Sequence, residues 1–103
     1  MIDSRKKKNI AVCGLGEHAL KNIIPSIKQC EALSLYAVNT RNKEVLERVV
    51  KQYNCRGYSD YDEILQNDEI EIIYLSTPPG VHYEQAKKSL LSGKHTWVEK
   101  PLT

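Results

Sequence analysis

Long apolar runs, paired cysteines and an excess of one charge are all missing from this sequence, and each absence closes off a class of function. No apolar stretch approaches the ~18 residues that cross a bilayer. The N-terminal charges are followed by no apolar region of the kind a signal peptide carries. No membrane partner is therefore expected, and the cytoplasm is the expected location. The three cysteines, Cys13, Cys30 and Cys55, are odd in number, widely spaced and form no Cys-x-x-Cys pair. They give neither a disulfide framework nor a zinc site, and Cys13 and Cys55 are read as small hydrophobes in or near strands. The histidines are scattered, with no carboxylate at ligand spacing, so no metal site is expected. Charge is nearly balanced: 15 basic and 13 acidic residues give a net +2, too little to argue for nucleic acid as a partner. The one basic run, Arg5-Lys6-Lys7-Lys8, is read as a solvated flank.

What remains is an ordinary globular composition, 41% apolar and 27% charged over 103 residues, enough for one core and a single domain spanning 1–103. Its pattern alternates strand with helix. Strands are expected at about Lys8 to Cys13, Leu33 to Asn39, Arg56 to Tyr58, Ile70 to Leu75 and His95 to Val98. The first helix carries Ala19, Ile23 and Ile27 on one stripe, with Leu20 and Ile24 beside them, and Pro25 inside it should bend or shorten it. The second places Val45, Val49 and Tyr53 on one face. Ser59 or Asp60 can cap a brief third helix. A fourth runs from about His82 to Ser92, with Tyr83, Ala86 and Leu90 toward the sheet and Gly93 ending it. Tyr36, Tyr53, Tyr58 and Tyr61 are read, with Tyr83, as packing residues. The fold class that follows is α/β, a doubly wound parallel sheet of Rossmann type in the order 3-2-1-4-5 with helices on both faces.

Such a sheet binds ligands beyond the carboxyl ends of its strands, where the order reverses. Gly14-Leu15-Gly16-Glu17-His18-Ala19 lies there, between the first strand and the first helix. Gly14 allows a tight turn, Gly16 lets a pyrophosphate approach without a Cβ in the way, and Ala19 fills a close helix–strand contact. At the end of the second strand an acidic residue would favour NAD through the ribose hydroxyls. Asn39-Thr40-Arg41-Asn42 stands there instead. A hydroxyl beside a guanidinium suits a 2′-phosphate, which points to NADP, with NAD left open. Beside that stands the plainer reading, in which Thr40 caps the next helix and Arg41 is solvated.

The Gly14 turn, Thr77-Pro78 followed by His82, and Gly93-Lys94-His95 running into Glu99-Lys100-Pro101 together resemble the Gfo/Idh/MocA oxidoreductases, which include glucose–fructose oxidoreductase and inositol dehydrogenase. The likeness extends from about Lys8 to Thr103, and Ile24-Pro25 fits it too. The resemblance implies an NAD(P)-binding domain acting in hydride transfer to or from a sugar, a cyclitol or a similar alcohol or carbonyl substrate. By that resemblance the backbone from Gly14 through Leu15, Gly16, Glu17 and His18 holds the pyrophosphate, and Thr40 with Arg41 holds the adenosine end. Ser76, Thr77, Pro78 and His82 line the ribose and nicotinamide path, and Glu99 and Lys100 sit beside the nicotinamide ribose and substrate. Lys100 is the expected catalytic residue, since an ammonium stabilises a developing alkoxide and relays its proton. Read without the resemblance, Glu99-Lys100 is a surface ion pair and His18 a polar surface residue. Pro79 departs from the family, which often has Asn there. The family's substrate domain, a mostly antiparallel sheet, is expected to lie outside these 103 residues, so small-molecule turnover by this chain alone is expected to be slight. A non-catalytic dinucleotide sensor or regulatory module of the same fold is the alternative.

Overall fold

Alternation along β1 (Lys8–Cys13) sends Ile10 and Val12 to one face of a sheet and Ala11 and Cys13 to the other, and all four are fully buried. A strand buried on both faces belongs at the centre of a parallel sheet. The computed structural model, which describes residues 7–98 except Pro78 and the side chains of Pro79 and His82, puts β1 there. The remaining strands are β2 (Leu33–Asn39), β3 (Arg56–Tyr58), β4 (Ile72–Leu75) and β5 (His95–Val98). The sheet is wholly parallel in the order β3-β2-β1-β4-β5, as the sequence predicted.

The first helical segment is where the sequence carries an obstacle, and the chain answers it by changing helix type. A π-helical stretch, Ala19–Ile23, ends with the Ile24 N–H donating to the Ala19 carbonyl five residues back. Pro25 then stands in the first turn of α1 (Ile24–Gln29), where a missing N–H costs nothing. The predicted bend is thus a widened turn followed by a fresh start. Ala19, Ile24 and Ile27 are buried against β1 and β2. Across the same face lies α2 (Lys43–Tyr53), capped by Asn42, whose Oδ1 accepts from the Val45 N–H at 3.2 Å.

A register shift lets β2 serve both faces. Ile10 pairs with Leu35 and Ala11 with Ala37, so Tyr36 is the extra residue of a bulge. Leu33, Leu35 and Val38 therefore join the α1/α2 layer, while Tyr36 and Ala37 join the other layer. That second layer also holds Ile64 of α3 (Tyr61–Gln66) and Ile70, Ile73 and Leu75 around β4. Asp60 caps α3, accepting from the Asp62 N–H at 3.0 Å.

The fourth helix corrects the sequence reading. α4 (Pro79–Leu91) starts earlier than His82, and Tyr83 and Leu90 do not face the sheet: they are 73% and 65% exposed. The inward positions are Ala86 and Ser89, and Ser89 is fully buried. Its hydroxyl shares a 2.6 Å hydrogen bond with that of Thr96 on β5. Ala86 faces the sheet as its periodicity predicted, whereas Ser89 escapes an apolar-periodicity reading because its contact is a hydrogen-bonded hydroxyl pair. Gly93 does end the helix, at φ +85, with the Gly93 and Lys94 N–H groups closing on the Leu90 and Ser89 carbonyls.

Gly57 on β3 is a tight spot despite its exposure. An added Cβ would lie 2.6 Å from Cγ2 of Val50 and 3.1 Å from Cδ1 of Leu46, both on α2. Val50 is β-branched and gives way poorly. Gly57→Ala is expected to cost about 1–3 kcal/mol, read as a shift in urea midpoint, where an exposed position would ordinarily tolerate the change.

Candidate functional site

The carboxyl ends of β2, β1 and β4 meet at one turn. The Gly14 N–H donates to the Asn39 carbonyl at 2.8 Å, and the Ser76 N–H donates to the Cys13 carbonyl at 2.8 Å. Gly14 has φ +91, and a Cβ on it would sit 2.8 Å from the Ser76 carbonyl carbon and 2.9 Å from Cγ2 of Thr77. Only glycine closes the turn this tightly. Gly16 differs: a Cβ there meets no atom within 4 Å. The fold itself places no demand on Gly16, and the space beside it opens outward.

Above the turn lies a cleft of about 640 Å³, lined by Gly14, Leu15, Gly16, Asn39, Thr40, Arg41, Ser76, Thr77, Val81 and Gln85. That volume falls in the usual range for small-molecule sites, about 300–1,000 Å³. Among the described residues no carboxylate lines it, and Arg41, exposed, is the charged one. Thr40 Oγ1 accepts from the Asn42 N–H at 3.3 Å. The helix cap is Asn42, so the reading of Thr40 as the cap is corrected. The Asn39 side chain is spent on structure, donating to the Tyr58 carbonyl at 2.8 Å. On the β4 side, Thr77 donates to Oε1 of Gln85 at 2.7 Å, and the Tyr61 hydroxyl donates to the Gln85 carbonyl at 2.7 Å. Burial pushes the Cys13 thiol far above its ordinary range. Burial likewise raises the Tyr61 phenol, with Cys13 adding to the push. Both groups stay neutral at physiological pH.

Residues 8–103 match a family described as "Oxidoreductase family, NAD-binding Rossmann fold" (GFO_IDH_MocA). The chain belongs to this family. A curated relative, the dTDP-3,4-didehydro-2,6-dideoxy-alpha-D-glucose 3-reductase of Saccharopolyspora spinosa, is 31% identical over 99 residues, covering 96% of this chain and 30% of the relative. Among solved structures, a proposed NADPH-dependent oxidoreductase of Desulfitobacterium hafniense is 29% identical with a TM-score of 0.86, over 94% of this chain and 28% of that one. A 3-ketoreductase from Actinomadura kijaniata, solved with NADP and TDP-benzene, shares the fold at a TM-score of 0.87 and 23% identity, over 95% of this chain and 30% of that one. The chain spans about 30% of the length of the curated relative from S. spinosa.

Within this NAD(P)-binding domain the structure gathers most of the residues read from the sequence. Gly14, Leu15, Gly16, Thr40, Arg41, Ser76 and Thr77 all line one cleft. Glu17 and His18 do not line it: both are exposed, Glu17 lies 3.5 Å from Lys21, and Nδ1 of His18 meets the Asn22 amide at 3.0 Å. Pro78, Glu99, Lys100 and the His82 side chain lie outside the described residues. Val81 and Gln85 went unnoticed in the sequence, because the helix was phased by Tyr83, Ala86 and Leu90. No described helix is long and apolar enough to cross a membrane, and no described cluster of His, Cys, Asp or Glu could hold a metal.

Proposed function

We propose that the chain holds NADP(H) in this cleft, as the cofactor-binding part of an oxidoreductase acting on a sugar, a cyclitol or a similar alcohol or carbonyl compound. The observation that carries this reading is the end of β2. Thr40 and Arg41 line the cleft where an acidic residue would favour NAD, and Arg41 makes no ion pair among the described residues. A guanidinium with no carboxylate beside it is matched to a phosphate. The fit is supported at Gly16, where the fold leaves a side chain's worth of space. The names of the 29% identical NADPH-dependent protein and of the 31% identical sugar-nucleotide reductase agree with it.

In this reading the backbone of Gly14, Leu15 and Gly16, which line the cleft, holds the pyrophosphate, and Glu17 and His18 stand outside it. Thr40 and Arg41 hold the adenosine 2′-phosphate. Ser76, Thr77, Pro78 and His82 border the ribose and nicotinamide, with Glu99 and Lys100 beyond β5. The chemistry supplied by the bound cofactor is hydride transfer. Lys100 stabilises the alkoxide that forms as the substrate is oxidised, and relays its proton. Efficient turnover also requires the substrate to be held against the nicotinamide. Titration of the chain with NADPH, followed by cofactor fluorescence or amide NMR, tests the reading. Saturable binding with shifts at Gly14, Gly16 and Thr40 is expected. No binding by either NADPH or NADH at about 1 mM, the limit of a weak specific site, would overturn it.

A further inference from the structure

We propose that Gln85 reads the ligand at the β4 end of the cleft, its side-chain amide donating hydrogen bonds to an acceptor on the nicotinamide half of the dinucleotide. The inference rests on the cleft being an NADP(H) site. Gln85 lies on α4, half-buried and lining the cleft. It is pinned twice. The Tyr61 hydroxyl holds its backbone carbonyl at 2.7 Å, and the Thr77 hydroxyl holds its side-chain oxygen at 2.7 Å. With Oε1 accepting from Thr77, the two N–H groups of Nε2 are the amide's remaining donors. No described residue accepts from them. A half-buried donor pair at a cleft wall is satisfied by water or by a ligand acceptor.

Strand order tells which half of the ligand this is. The turn at Gly14 and Gly16 belongs to β1, which lies between β2 and β4. With the phosphates on that turn, one nucleoside half runs toward Arg41 at the end of β2. The other runs toward Thr77 at the end of β4, under Gln85. The acceptors on that half are the carboxamide oxygen and the ribose oxygens. Thr77 also packs its Cγ2 near Gly14, 2.9 Å from where a Cβ would stand, so Gln85 and the phosphate turn are joined through one side chain.

Two variants and two probes test this. Gln85→Glu keeps the shape and an oxygen for Thr77 but replaces the donors with a carboxylate. Gln85→Met removes donors and acceptor together. The dissociation constant for NADPH is expected to rise about three- to tenfold in Gln85→Met, the worth of one neutral hydrogen bond, and further in Gln85→Glu. Binding of 2′,5′-ADP, which carries only the half facing Arg41, is expected to stay unchanged in both. NADPH affinity unaltered in Gln85→Glu, or 2′,5′-ADP affinity falling in parallel, would overturn the assignment. If the unmodified chain bound neither probe, the NADP(H) reading beneath it would fail instead.

Discussion

Gly14→Ala is expected to unfold this domain or leave it barely stable, whereas Gly16→Ala is expected to fold normally and lose cofactor. The two glycines stand one residue apart, but different constraints act on them. At Gly14 the backbone has φ +91 and the added methyl would overlap the Ser76 carbonyl carbon and oxygen, each at 2.8 Å. The strained backbone costs about 1–3 kcal/mol and the overlap about as much again. The overlapped atoms are backbone, so relief requires the end of β4 to move from the end of β1, where the Ser76 N–H holds the Cys13 carbonyl at 2.8 Å. Roughly 2–6 kcal/mol in total compares with the whole stability of a small domain, about 5–15 kcal/mol. A melting temperature lower by more than about 10 °C, or no cooperative transition, is the expected readout. At Gly16 the same methyl meets nothing. Gly16→Ala should melt like the parent while its NADPH affinity falls about tenfold or more, the methyl taking space that a pyrophosphate needs. A stable Gly14→Ala would show that the turn relaxes at little cost. A Gly16→Ala that bound NADPH normally would move the phosphates elsewhere.

The contrast shows what the sequence could and could not disclose. Both glycines were legible as a phosphate turn, but their separate duties depend on what surrounds each Cβ position, which only the folded chain defines. Strand order was legible because short strands alternate with amphipathic helices, which implies right-handed crossovers in a parallel sheet. The bulge at Tyr36 was not, because both β2 faces remain apolar whichever residue is extra. Helix α4 was read correctly at Ala86 and wrongly at Tyr83 and Leu90 for a related reason. Its tyrosine and leucines point outward and its sheet contact runs through Ala86 and the Ser89–Thr96 hydroxyl pair. Gln85 was lost with it. A polar residue at an inward position reads as an error in an apolar pattern, and it becomes informative only once its partners, Thr77 and Tyr61, are seen.

Arg41 carries the second large effect. Arg41→Ala is expected to weaken NADPH binding about 10- to 100-fold, the range for hydrogen bonds to a charged group, while leaving NADH nearly untouched. Stability should not change, because Arg41 is exposed and makes no ion pair among the described residues. The exposure has its own consequence: part of the attraction is screened by salt. The advantage of NADPH over NADH should shrink between low salt and about 0.5 M, where the Debye length falls to a few ångströms. Arg41→Lys distinguishes charge from shape. A lysine keeps the attraction but loses the planar fork that meets two phosphate oxygens at once, so it should fall between the parent and the alanine variant and show the same salt dependence. Thr40→Val removes the neighbouring hydroxyl, a neutral partner, and should cost less than Arg41→Ala. If Arg41→Ala weakened NADPH and NADH equally, the guanidinium would be holding a phosphate common to both cofactors. The 2′-phosphate would then have no cationic partner at the end of β2, and the preference for NADP would lose its physical basis.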